Sequence, residues 1–157
     1  MKISLLAIGK TDEAYLQKGM ELFLKRIPHY IPFELKIIPD IKNSKNLSTE
    51  QQKEKEGELI LQQTNTSDEL FLLDERGAEW SSVEFARFLE KKMISGNKRM
   101  IFVIGGPYGF SEAVYSRANG KVSLSKMTFS HQMVRLIFLE QLYRAMTILK
   151  GEPYHHQ

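Results

Sequence analysis

The chain contains no cysteine, which removes disulfides, thiolate zinc sites, iron–sulfur clusters and cysteine nucleophiles together. Any chemistry it performs runs on nitrogen and oxygen groups. Long apolar runs are also missing. MKISLLAIGK ends after a few apolar residues and meets Asp12 and Glu13 at once, so neither a secretory leader nor a membrane span is expected, and the location is expected to be cytoplasmic. With five prolines in 157 residues and no stretch rich in Pro, Gly or Ser, nothing divides the chain. A single domain over 1–157 is expected, long enough to bury roughly two-thirds of its unfolded surface. Neither G-x-G-x-x-G nor G-x-x-x-x-G-K-[ST] occurs, which counts against standard dinucleotide and P-loop phosphate chemistry.

What is present is an ordinary globular composition, 42% hydrophobic and 26% charged, far from the disordered or membrane classes. The net charge of +3 is unevenly spread: residues 116–157 hold six Lys/Arg against two acids, a local +4. Three of the four histidines, His131, His155 and His156, fall in the same tail. A basic end of this kind points to an anionic partner, nucleic acid first, although a solvated basic surface has the same composition.

Apolar runs and helical periodicities alternate along the chain. KISLLAIG reads as a first strand, and Leu16, Met20, Phe23, Leu24 and Ile27 recur as one helix face that Pro28 closes,. FELKIIP alternates as a second strand, DIKNSKNLS is a polar loop, and Thr49 is the expected cap of EQQKEKEGELILQQ,. ELFLLDERG is a third strand ending at Gly77, and Ser81 with Glu84 forms a capping-box pattern before VEFARFLEKKM,. RMIFVIGGPYGF is a fourth strand running into glycines, Ser111 caps EAVYSRA, and KVSLS is a fifth strand ahead of a long final helix. This order predicts an α/β fold, a parallel Rossmann-like sheet with helices on both faces.

Ligands of such sheets lie beyond the carboxyl ends of the strands. Gly105, Gly106 and Gly109 around Pro107 allow close backbone approach to a ligand, and a plain tight turn uses the same residues,. SLSKMTFSHQ gathers Ser123, Ser125, Thr128 and Ser130 between a strand and a helix, a set larger than one helix cap needs and suited to a flat polar ligand,. LLDERG ends a neighbouring strand. In the last helix, His131 and Arg135 are four apart and share a face, open to RNA, cofactor, a second subunit or a purely structural role,. MVRLIFL is apolar almost all round, more than one core-facing stripe requires, which predicts a second burial surface,.

KEGE, FVIGGPYG, LSKMTFSHQMVR, EQLYRA and GEPYHH, in this order and spacing, closely resemble the SPOUT-class RNA methyltransferases of the RlmH type, over essentially the whole chain. The resemblance implies a C-terminal deep trefoil knot, a homodimer, no metal, and S-adenosyl-L-methionine as methyl donor for N3 of a pseudouridine in 23S ribosomal RNA, the large-subunit RNA, within the ribosome. Carried over by position, the cofactor-binding residues are Leu73, Asp74, Gly105, Gly106, Leu124, Ser125, Lys126, Met127, Thr128, Phe129 and Ser130. This chain has Ser130 where relatives commonly carry proline, and Gln157 where they often end in a basic residue. Serine is expected to preserve the helix start by capping it, while Gln157 removes one potential phosphate contact.

A sulfonium donor arrives activated, so the catalytic groups need only position a nitrogen and manage its proton. His155 is the candidate for proton handling or base orientation, Tyr154 for stacking or hydrogen bonding, and Arg144 for contact with RNA or the developing charge. The competing structural readings are a frayed terminus for the first two and an i,i+4 pair with Glu140 for Arg144. Two other functions compete: a non-catalytic ribosome- or RNA-binding factor that uses the basic tail alone, and a Rossmann-like enzyme of another nucleotide.

Overall fold

Period-two alternation along the strands sorts side chains onto the two faces of one sheet. In the computed structural model, which describes residues 1–156, β1 (Lys2–Ile8), β2 (Phe33–Ile38), β3 (Glu69–Glu79), β4 (Arg99–Ile104) and β5 (Gly120–Ser123) form an all-parallel sheet in the order β2-β1-β4-β3-β5. Ile3, Leu5 and Ala7 of β1, Phe71 of β3, and Met100, Phe102 and Ile104 of β4 face one core. Leu6, Ile8, Leu70, Leu72, Ile101 and Val103 face the other. Strands buried on both sides read as the continuous apolar runs seen in the sequence.

α1 (Ala14–Arg26), α3 (Ser82–Ile94) and α5 (Met133–Leu149) cover the first face, and α2 (Thr49–Gln62) and α4 (Glu112–Arg117) cover the second. Rings dominate the first core: Phe85, Phe102 and Phe138 meet edge-on or tilted at centroid distances of 5.0 to 6.3 Å, the geometry favoured by ring quadrupoles. α5 lies on the sheet with α1 on one side and α3 on the other. Its neighbours therefore absorb much of the all-round apolarity of MVRLIFL: Leu136 and Val134 pack against the core within the chain. Met133 and Ile137 remain half-buried on its outer side.

The expected caps hold at Ser81, with its reciprocal Glu84, and at Ser111. α2 is capped by Ser48 rather than Thr49. Ser48 has the extended backbone that a cap needs, its hydroxyl accepts from Gln51 N, and the Gln51 side chain accepts from Ser48 N, a complete box that leaves Thr49 as the first helical residue. Pro28 does not end its helix outright but sits in a 3-10 turn, Ile27–His29, that continues α1. β3 also runs on past Gly77 to Glu79. Its register with β5 shifts between Leu73 and Ala78, so Asp74, Glu75, Arg76 and Gly77 bulge out of the ladder,. Gly77 returns the strand against Lys121 and Val122, where a Cβ would meet backbone at 2.6 Å.

Candidate functional site

The carboxyl ends of β3, β4 and β5 open into a cleft of about 580 Å³, within the range of small-molecule sites. Three loops of the sequence reading converge on it: the Asp74–Arg76 bulge, the glycine turn and the segment from Leu124 to Ser130. Of the residues assigned to the cofactor, Leu73, Asp74, Gly105, Gly106, Leu124, Ser125, Met127, Thr128, Phe129 and Ser130 line the cleft. Lys126 does not; its side chain is 85% exposed and its ammonium stands 3.9 Å from Glu79. Glu75, Arg76, Tyr115 and Val134 line it as well.

Asp74 is the anionic centre of the cleft. Its carboxylate accepts from the Tyr115 hydroxyl at 2.6 Å and from Arg76 N at 2.9 Å, and the Arg76 guanidinium donates to the same tyrosine oxygen at 3.2 Å. Burial pushes the carboxyl up, but these hydrogen bonds and the charges of Arg76 and Lys121 together outweigh it and hold Asp74 below its ordinary value,. A carboxylate fixed in this way is negative at neutral pH and suits a cationic ligand. Burial and Asp74 both raise the Tyr115 hydroxyl, keeping it a donor.

The glycine turn is both a tight turn and a cleft wall. Gly109 N donates to Gly106 O at 3.2 Å and closes it, while Gly105 rests on the Phe110 ring and Gly106 on the carboxyl of Glu56. A Cβ on Gly106 would stand 2.6 Å from Glu56 Oε1, so this position accepts glycine alone without displacement. In the fifth loop the hydroxyls shape the chain: Ser123 donates to Ser125 O, Ser125 Oγ accepts from Met127 N, and Thr128 donates to Glu75.

Ser130 leads into the final helix. Its hydroxyl accepts from Met133 N and its carbonyl from Val134 N, each at 3.0 Å, so the serine bonds the first turn from two residues before Gln132, which precedes α5 and makes no side-chain cap itself,. Ser130→Ala is expected to lower unfolding free energy by about 1 kcal/mol, measured by urea denaturation; an unchanged midpoint would show that the hydroxyl adds nothing.

Arg135 reaches neither the surface nor the cleft. It is fully buried, with Nη2 donating to Ile8 O at 2.8 Å, Nη1 to Gly9 O at 2.7 Å and Thr11 Oγ1 at 3.1 Å, and Nε to His131 O at 3.0 Å. Its role is to tie α5 to the end of β1. His131 lines the cleft rim.

Arg144, Tyr154 and His155 come together, but away from this cleft. Arg144 donates through Nε and Nη2 to Glu140 Oε1 at 3.0 and 2.6 Å, and through Nη1 to His155 Nδ1 at 3.1 Å. The Tyr154 hydroxyl donates to the same glutamate oxygen at 3.1 Å, and the guanidinium stands 4.8 Å from its ring. Burial first, then Glu140, raises the Tyr154 hydroxyl above its ordinary value. Because arginine only donates, His155 Nδ1 accepts here and the imidazole proton lies on Nε2. The i,i+4 pair with Glu140 is therefore present, as one part of a four-residue cluster.

The tail is anchored. Pro153–His155 forms a 3-10 turn, Glu152 N donates to Thr147 O, and Tyr30 donates to Glu152 at 2.7 Å, which pushes the Tyr30 hydroxyl up to about 12. Instead of folding over the cleft of its own chain, the tail docks on the far end of α5. Ten residues of helix separate cleft-lining Val134 from Arg144, roughly 15 Å along the axis,. Gln157 lies outside the described residues. Among the described residues, no group of three or more His, Asp or Glu is placed to hold a metal ion, and no helix is long and apolar enough to cross a membrane.

Comparison with known proteins agrees with this geometry. The chain is 63% identical over 157 residues to the ribosomal RNA large subunit methyltransferase H of Parabacteroides distasonis, with both chains covered in full. The proteins of that name from Flavobacterium johnsoniae and Bacteroides fragilis are 64% and 55% identical over the same full lengths. A family model described as "Predicted SPOUT methyltransferase" matches residues 1–155. With the parallel sheet, the cleft at its carboxyl edge and a match of this extent, the chain belongs to the SPOUT methyltransferase family.

Proposed function

We propose that this protein transfers a methyl group from S-adenosylmethionine to N3 of a pseudouridine in 23S ribosomal RNA, acting in the cytoplasm as a homodimer on the ribosome. The observation that carries the reading is the convergence of the bulge, the glycine turn and the Leu124–Ser130 loop on one cleft, in a chain of this family. The reading includes a single domain over 1–157 and the family's trefoil knot beyond β5.

The residues fit the cofactor. A cleft of about 580 Å³ accommodates a nucleoside with an amino-acid tail,. The glycine turn and the loop from Leu124 supply close-lying main chain, and the ionised Asp74 faces a ligand of net positive charge. When bound, S-adenosylmethionine supplies an activated methyl group. The chain's own part is to hold and orient it, to exclude water and to position the target nitrogen.

Arg144 stays charged and, held by Glu140, supports negative charge developing on the base imide,. His155 accepts from Arg144 through Nδ1, so it acts as an orienting and donating group rather than as the proton acceptor,. Tyr154 presents a ring beside the guanidinium, a surface on which an unstacked base can rest,. The roughly 15 Å between Arg144 and the cleft along α5 favours a site assembled from two chains, the tail of one protomer meeting the cleft of its partner. The half-buried Met133 and Ile137 on the outer side of α5 are suited to such an interface.

Two measurements test the reading. Calorimetric titration with S-adenosylmethionine is expected to show saturable binding; no heat would leave a non-catalytic ribosome-binding factor or an enzyme of another nucleotide. Purified ribosomes lacking the modification, incubated with protein and donor, are expected to gain one methyl on a large-subunit pseudouridine by mass mapping. Methylation at a different base would overturn the assigned target while leaving the methyltransferase reading intact.

A further inference from the structure

Glu56, in the KEGE stretch of α2, is 3% exposed, and its Oε1 has no hydrogen-bond partner among the described residues. A buried carboxyl in that state is costly, unless its position serves something. Its position is distinctive. The two carboxyl oxygens fill the place where a Gly106 side chain would stand, at 2.6 and 2.7 Å from that Cβ position. Neighbouring Gly57 packs against the Ser111 side chain at the start of α4, so α2 is seated with no slack beneath the turn.

Gln52 is the group that favours a charge on the carboxyl, and burial outweighs it. Gln52, one turn back on α2, donates to Oε2 at 3.3 Å. The charge acting on Glu56 from the segment after β2 is another carboxylate, Asp40. Burial first, then Asp40, raises Glu56 from its ordinary value, with Gln52 opposing,.

We propose that Glu56 is a positioning residue for the cofactor cleft: its carboxyl carries a proton and props the Gly105–Gly106–Pro107 turn from beneath, and ionisation loosens that turn and weakens cofactor binding. The inference rests on the reading of the cleft as a site for S-adenosylmethionine. A carboxyl that binds its proton more tightly folded than unfolded makes the native state lose stability as pH rises from the unfolded value toward the folded one. A cleft competent only in the protonated state loses affinity by about tenfold for each pH unit above the point of half-ionisation.

The test uses the full chain, Glu56→Gln and Glu56→Ala, from about pH 5 to about pH 9, a window that covers buried glutamates. Without cofactor, the Gly105 and Gly106 amide resonances of the wild type are expected to titrate together, and those of Glu56→Gln to stay flat. With cofactor, calorimetry is expected to show wild-type affinity falling with pH, Glu56→Gln holding the low-pH affinity throughout after the ligand's own titration is subtracted, and Glu56→Ala weak at every pH. The thermal midpoint of Glu56→Gln is expected to match the wild type in acid and exceed it in alkali. Flat glycine resonances in the wild type, or identical pH profiles for wild type and Glu56→Gln, would overturn the proposal. Titrating resonances with no cofactor binding at any pH would overturn the cofactor reading, and with it the role of Glu56 in that binding, while leaving the coupling of carboxyl to turn established.

Discussion

Arg135→Met is expected to lower the unfolding free energy by about 3 to 5 kcal/mol through orphaned carbonyl acceptors, which for a chain of this size moves the thermal midpoint by roughly 10 °C. Among the described residues, no carboxylate lies within hydrogen-bonding distance of the guanidinium. Its bonds go to the carbonyls of Ile8, Gly9 and His131 and to the Thr11 hydroxyl. Burial lowers its affinity for the proton, with Asp12 and Asp40 opposing at longer range. Methionine fills similar volume and relieves the buried charge, but it orphans three buried or part-buried backbone acceptors at about 1 to 3 kcal/mol each. The second effect is the larger, so the balance is destabilising. Arg135→Lys keeps the charge but offers donors from one point instead of a fork, and is expected to recover less than half of the loss. Urea denaturation with constant slope measures both; a change below about 1 kcal/mol for Arg135→Met would show that the acceptors find other partners.

The contrast between Arg135 and Arg144 marks how far the sequence carries. Both sit in an apolar helix, both have a partner four residues away, and their composition is the same. One is sunk at the end of β1 and the other is a quarter exposed on a polar cluster. What separates them is helix azimuth relative to α1 and α3, which depends on tertiary packing and has no local signature. Strand identities were legible because β1 and β4 are buried on both faces and so read as apolar runs, interrupted in β1 only by the buried Ser4,. The caps at Ser81 and Ser111 were legible because their chemistry is local. Sheet order was not, since parallel crossovers of similar length permit several orders.

Site residues divide in the same way. The glycine turn and the hydroxyl loop announced themselves by composition at strand ends, and both reach the cleft. Arg76 and Tyr115 did not: Arg76 enters through a bulge whose register shift only the pairing of β3 with β5 reveals, and Tyr115 reaches the cleft from α4 only because α4 packs beside that bulge. Lys126 lies in a cleft-lining run yet points outward, as alternate residues of an irregular loop often do. Glu56 was visible within KEGE, where a charged stretch reads as solvated surface; its burial comes from Gly57, which lets α2 approach α4 closely enough to bury the adjacent side chain.

Arg144→Met is expected to reduce methyl transfer by about 10² to 10³, the scale of removing one charged or hydrogen-bonding group from a transition state, with cofactor affinity unchanged. Gly106→Val is expected to fail at the other end: its side chain meets the Glu56 carboxyl, distorts the turn and abolishes cofactor binding while leaving the Arg144 cluster intact. Each pure variant is then inactive for a different reason, and mixing them becomes informative. If one protomer's tail serves its partner's cleft, a dimer containing one of each holds one intact composite site, made from the Gly106→Val chain's tail and the Arg144→Met chain's cleft. Random reassortment of equal amounts makes half the dimers mixed, each with one good site of two, so about a quarter of wild-type activity returns. If tail and cleft act within a single chain, every site in the mixture carries a lesion and no activity returns. Activity assayed on ribosomes after unfolding and refolding the mixture separates these outcomes. A silent mixture, with heterodimers verified by native mass spectrometry, would place the Arg144 cluster outside the shared site.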